Sequence, residues 1–90
     1  MSTSKPEPGL RVRDVRFSSD QLIVDLADGR AIAVPIAWHP RLFQATPEQR
    51  ANWRVVGGGY GIHWPDTDED LSTEGLLQGA AAPRVRISLA

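Results

Sequence analysis

The chain contains no cysteine. That excludes disulfide staples and thiolate metal sites, and it is the composition expected of a protein in a reducing cytoplasm. No apolar run approaches the length of a membrane span. The polar, Pro-containing start MSTSKPEPG lacks the apolar segment of a secretory signal. Charge is nearly balanced, with a net charge of −1 and a pI of about 6.0. A non-specific nucleic-acid binder needs a broad positive footprint, and this composition lacks one. Nucleophile-elbow spacing, Gly-x-Ser-x-Gly, is missing too. The glycine cluster Gly57-Gly58-Gly59-Tyr60-Gly61 has neither the Lys nor the Ser/Thr of a phosphate loop, so it reads as a bent strand. Together these gaps point away from an enzyme and from any cofactor.

Ninety residues make one domain with a modest core. Three Trp, two Phe and one Tyr supply much of the area available for burial. Residues 1–9 read as a leader too polar to offset its ordering entropy. Residues 10–79 read as a single α+β domain, and 80–90 as a linker followed by an extra strand.

Leu10 to Phe17 is the first strand. Leu10 and Val12 fall on one face by period two, and Val15 and Phe17 on the other. A β-bulge near Arg13-Asp14 brings all four to one side. Gln21 to Val34 is a hairpin around Asp28-Gly29. A two-residue loop would send Ile32 and Val34 to the face opposite Leu22 and Val24. A three-residue loop, Ala27-Asp28-Gly29, pairs Val24 with Ile32 and Leu22 with Val34. The buried face decides register, which selects the second, with Gly29 left-handed. Pro35 stops the strand.

Ile36 to Trp53 reads as two short helices held by packing of Trp38, Leu42, Phe43 and Trp53. Thr46-Pro47-Glu48-Gln49 has the form of a capping box, with Pro47 in the first helical position. Strands are expected at Trp53–Val56 and Tyr60–Trp64. Pro65 to Asp70, PDTDED, reads as an acidic turn. Leu71 to Leu77 is a short helix capped by Ser72 or Asp70 and stopped by Gly79. Arg84 to Leu89 alternates again and suits a strand that closes this sheet or pairs with another copy. The expected fold is α+β, a small curved antiparallel sheet with two or three short helices packed on one face.

His63 followed by Asp66, Asp68, Glu69 and Asp70 is the densest polar cluster. Its spacing fits no calcium loop. His39 and His63 lack a third histidine or cysteine to complete a metal site, so none is expected. Two readings of the acidic cluster remain, a solvated cap or a docking patch for a basic partner. Arg11, Arg13, Arg16 and Arg30 lie on the N-terminal strands among Asp14, Asp20, Asp25 and Asp28. Those interleaved carboxylates suit a solvated face better than a nucleic-acid surface. Arg50 sits inside the helix-and-tryptophan block, with Asp68 to Asp70 as its expected ion-pair partner.

The blocks DGRAIAVPIAWHPRL, ATPEQRANW and GGGYGIHWPDTDEDLSTEGLL, in that order, resemble the bacterial family known as domain of unknown function 2442. The resemblance spans roughly Val12 to Gly79. It implies a small α+β domain and supplies no catalytic residues. Some members are encoded beside a small protein of the domain of unknown function 4160 type, in pairs that resemble toxin–antitoxin modules. The resemblance thus implies an antitoxin-like cytoplasmic protein that binds a small toxin-like partner. The surface residues expected to carry that contact are Trp38, His39, Arg41, His63, Trp64, Asp68, Glu69, Asp70 and Arg86. A homo-oligomer through the C-terminal strand is a further expectation. The alternative function is a regulatory nucleic-acid-binding module using the Arg-bearing sheet.

Overall fold

Six strands in two separate antiparallel sheets make up the fold, in a computed structural model that describes residues 7–79. Val12–Phe17 (β1), Gln21–Leu26 (β2) and Ala31–Pro35 (β3) form the first sheet in the order β1-β2-β3. Arg54–Val56 (β4), Gly61–Trp64 (β5) and Glu69–Ser72 (β6) form the second in the order β4-β5-β6. Three short helices join them: Pro40–Phe43 (α1), Pro47–Ala51 (α2) and Thr73–Leu77 (α3). The α+β class is as expected, with the strands divided between two sheets where the sequence suggested one. Residues 80–90, and with them the C-terminal strand and Arg86, lie outside the described residues.

The first sheet follows the apolar pattern closely. Val12 pairs with Leu26 and Asp14 with Asp25, so Arg13 is the additional residue of a bulge. The bulge lets Leu10, Val12, Val15 and Phe17 all pack on one core. In the hairpin, Leu22 pairs with Val34 and Val24 with Ile32. Gly29 closes the turn at φ +94, where a side chain would be strained. Pro8 and Gly9, assigned to the leader by composition, are instead part of the fold. They form a 3₁₀ turn with Leu10, and Asp28 N–H donates to the Gly9 carbonyl at 3.2 Å.

Thr46 caps α2 in a reciprocal box. Its hydroxyl accepts from Gln49 N–H at 3.1 Å, and the Gln49 side chain accepts from Thr46 N–H at 3.0 Å. Two donors that a five-residue helix would otherwise leave unpaired are thereby satisfied. The second sheet was less legible. The acidic turn is shorter than composition suggested: Glu69 to Ser72 is a strand paired with β5, Trp64 opposite Glu69 and Ile62 opposite Leu71. Helix α3 starts only at Thr73, where Ser72 Oγ accepts from Gly75 N–H at 3.0 Å.

Both sheets contribute to one core of Leu22, Val24, Leu26, Ile36, Leu42, Ile62 and Trp64, each essentially without solvent contact. The Phe17 and Trp64 rings meet edge to face, 6.4 Å between centroids, which joins the first sheet to the second. Of the four side chains expected to hold the helices, Leu42 is buried and Trp53 half-buried. Trp38 and Phe43 are 40% and 55% exposed and do not fill that role. Arg50 supplies what they do not, as described next.

Candidate functional site

The acidic turn and α1 meet at Arg41. Asp68 adopts a left-handed conformation, φ 54, at the foot of the β5–β6 hairpin. Its carbonyl accepts from the Arg41 guanidinium at 2.6 Å. The same nitrogen lies 3.7 Å from Glu69 Oε1, and His39 Nδ1 lies 3.8 Å from Glu69 Oε2. Both distances are too long for good hydrogen bonds; the Arg41 approach is a charge contact, and the His39 one is a charge contact only when the imidazole is protonated. The two approaches bring His39 and Arg41, at the start of α1, together with Glu69 from β6.

His39 is buried, and its Nε2 has no partner among the described residues. Burial holds its pKa below the usual 6.5. Burial also pushes the Glu69 carboxyl above 4.5; Asp70 and Asp68 add to that rise, and Arg41 opposes it. The two groups act on stability in opposite directions. Below about pH 6.5 the unfolded chain binds a proton at His39 that the folded chain resists, so stability falls as pH drops through that value. For Glu69 the folded state holds its proton longer, so this contribution is greatest below about pH 4.5 and is lost as pH rises through the folded value. In a Glu69→Gln background the urea midpoint should therefore decline from pH 7.5 to 5.5, and adding His39→Gln should flatten that decline. An equal slope in both proteins would show that His39 is not its source.

On the second sheet, Arg54, His63 and Asp70 stand side by side across β4, β5 and β6. His63 Nδ1 and Asp70 Oδ1 are 2.7 Å apart. The pair is a cross-strand contact that fixes one histidine nitrogen, and Nε2 has no hydrogen-bond partner among the described residues. Among the described residues, no group of three or more His, Asp or Glu side chains is arranged to hold a metal ion.

The residues expected at the surface therefore separate into classes. Trp64 and His39 are not surface residues: Trp64 has no solvent contact, and His39, the N-cap of α1, is buried. Sequence adjacency to a histidine did not reveal this for Trp64, because alternate strand residues face opposite ways, and His39 is the residue before α1, where no strand alternation applies. Arg41, Glu69, His63 and Asp70 have intramolecular partners. Trp38 and Asp68 remain exposed, the Asp68 side chain without a partner among the described residues. Phe43, expected from sequence to pack under the helices and not at the surface, joins Trp38 as an exposed aromatic. Asp66, in the same turn, accepts from Asn52 Nδ2 at 3.0 Å.

Arg50 does not pair with the acidic cluster. Its Nε donates to Leu42 O and its second terminal nitrogen to Phe43 O, both at 2.9 Å. It thus supplies a donor to Phe43 O and a further one to Leu42 O, which also accepts from Ala45 N–H at 3.1 Å, while its own carbonyl accepts from Trp64 Nε1 at 3.0 Å. On the N-terminal sheet, Arg16 makes a paired contact with Asp25 at 2.7 and 3.0 Å, and Arg30 meets Asp28 at 2.8 Å. Those bonds hold both carboxyls below the usual range and reduce the free positive charge of that face. No helix among the described residues is long and apolar enough to cross a membrane.

The chain belongs to the family described as protein of unknown function (DUF2442), whose model matches residues 12–82. Among solved structures it is similar to a protein of unknown function from Rhodospirillum rubrum, at 34% identity and a TM-score of 0.70, covering 82% of this chain and 92% of that one. It is also similar to an uncharacterised protein from Chromobacterium violaceum, at 27% identity and a TM-score of 0.68, covering 79% of this chain and 67% of that one. No curated protein matches.

Proposed function

We propose that this DUF2442 domain is a non-enzymatic protein-binding module in a bacterial cytoplasm. In concrete form it is an antitoxin-like protein that neutralises a small toxin-like protein encoded nearby, of the domain of unknown function 4160 type. The observation that carries the reading is the pair of exposed aromatics, Trp38 and Phe43, on the adjoining turns before and within α1. Large aromatics left in water on short, anchored turns are what interfaces use as anchors, because they supply area at low entropic cost. Leu42 and His39 root the segment in the core, and Arg41 ties it to the Asp68 carbonyl. The neighbouring Asp68 side chain offers negative charge for steering a basic surface.

The test is co-expression of the tagged chain with its neighbouring open reading frames. A stoichiometric small partner, whose toxicity the chain relieves, is expected to co-purify. Trp38→Ala should weaken that complex by about thirtyfold or more, as loss of a central aromatic anchor does. Asp68→Lys should weaken it further at low salt; Trp38→Ala should leave the unfolding midpoint nearly unchanged, and Asp68→Lys should lower it modestly because lysine tolerates the left-handed φ of 54 less well than aspartate. A chain that purifies alone, or a complex indifferent to both substitutions, would remove this reading.

A further inference from the structure

The first sheet has an open edge with a cleft beside it. Ser18 N–H donates to Gln21 O at 2.9 Å, which sets the alternation of the β1–β2 ladder. Asp14 and Arg16 therefore turn their backbone groups toward β2, and Val15 and Phe17 turn theirs away. Val15 N–H is taken by the Asp14 carboxylate at 2.8 Å. The Phe17 N–H and the carbonyls of Val15 and Phe17 have no backbone or side-chain partner among the described residues. Alongside runs an open cleft of about 400 Å3 between β1 and α2. Its apolar lining is Val15, Phe17, Pro47, Ala51 and Trp53.

The charges on that lining are all of one sign. Arg16 and Arg50 border the cleft and no carboxylate does. Asp25 balances Arg16. Arg50 is held by neutral carbonyls and lies 5.7 Å from the Phe17 ring centre, so its charge is uncompensated there.

We infer that this edge and cleft receive an extended, acidic segment of a partner protein, which joins the first sheet beside β1 as a fourth strand. Backbone pairing to Phe17 would supply the register, and an apolar side chain between Phe17 and Trp53 the selectivity. Carboxylates on alternate positions would meet Arg50. Charge argues against two other occupants. A second copy paired through β1 would put Arg16 against Arg16 in the register that pairs Val15 with Phe17, and would bring no carboxylate to Arg50 in the register that pairs Val15 with Val15, where Asp14 meets the already paired Arg16. Residues 84–89 of this chain, RVRISL, carry two arginines and no acid. The inference rests on the protein-binding reading for the class of partner, and it uses none of the residues around Trp38 and the acidic turn.

A phage-displayed library of random nonapeptides, selected on the full chain, tests it. The enriched sequences should alternate apolar residues with Asp or Glu. A synthetic peptide of the consensus should slow hydrogen exchange at the Phe17 amide and shift the Trp53 indole resonance. Ala51→Glu, an exposed change at the cleft wall, should weaken the peptide at least tenfold, and Asp68→Lys should leave it unchanged. Failure to enrich any peptide would overturn the inference. So would peptides of basic character, peptides that leave Phe17 unprotected, or full binding to the Ala51→Glu chain. Peptide binding of the expected kind with no co-purifying neighbour would leave this edge established and the antitoxin reading lost.

Discussion

Replacing Trp64 with alanine should cost about 3–5 kcal/mol, the range for removing a fully buried aromatic. A chain of this size has a total stability on the order of 5–10 kcal/mol, so the variant should lose between about a third and all of it. Trp64 has no solvent contact, meets Phe17 edge to face, and donates its indole N–H to Arg50 O. It therefore couples β5, β1 and α2 at one point. Trp64→Phe should retain part of the area and lose the hydrogen bond, at a cost of about 1–3 kcal/mol for the orphaned polar group and the lost ring. Urea unfolding followed by circular dichroism reads both. A loss below about 1 kcal/mol for alanine would mean that the two sheets do not depend on this contact.

Arg50→Ala should destabilise by about 2–3 kcal/mol, far more than an ordinary surface arginine. The guanidinium bonds two carbonyls at the end of α1, of which Phe43 O has no other donor among the described residues, and α1 is a helix of four residues that has little stability of its own. It also lies over Phe17. Arg50→Lys should recover little, because a single ammonium on a flexible stem cannot span two carbonyls in a fixed fork. High salt should barely change the effect, since the acceptors are neutral. A strongly salt-dependent loss would point to an ion pair and against the carbonyl contacts.

The first half of the chain was readable because its local signals agree with its packing. The bulge at Arg13, the Leu22–Val34 register and the Thr46–Gln49 box each follow from residue types a few positions apart. The second half was harder for identifiable reasons. Glu69 and Asp70 have poor strand propensity, yet they pair in β6 because Ile62, Trp64 and Leu71 must be covered. Arg50 seeks carbonyls and not carboxylates, a preference that spacing does not express. Burial of His39 and Trp64 depends on which face of a turn or strand meets the core, and that is decided by the other sheet. The β1 cleft was hidden for the same reason, since it exists only where α2 comes to lie beside an edge strand.

Each strand in both sheets pairs only with its immediate predecessor or successor in the chain. Assembly therefore requires no long loop to close before contacts reward it, and the entropic barrier to each three-stranded unit is low. Either unit can organise first. The slow event is then their mutual docking, when the Phe17 ring finds Trp64 and the Arg50 side chain reaches back to α1. Until that moment both units expose the apolar faces that the other will cover, so the interval before docking is when the chain is most open to misassociation at high concentration.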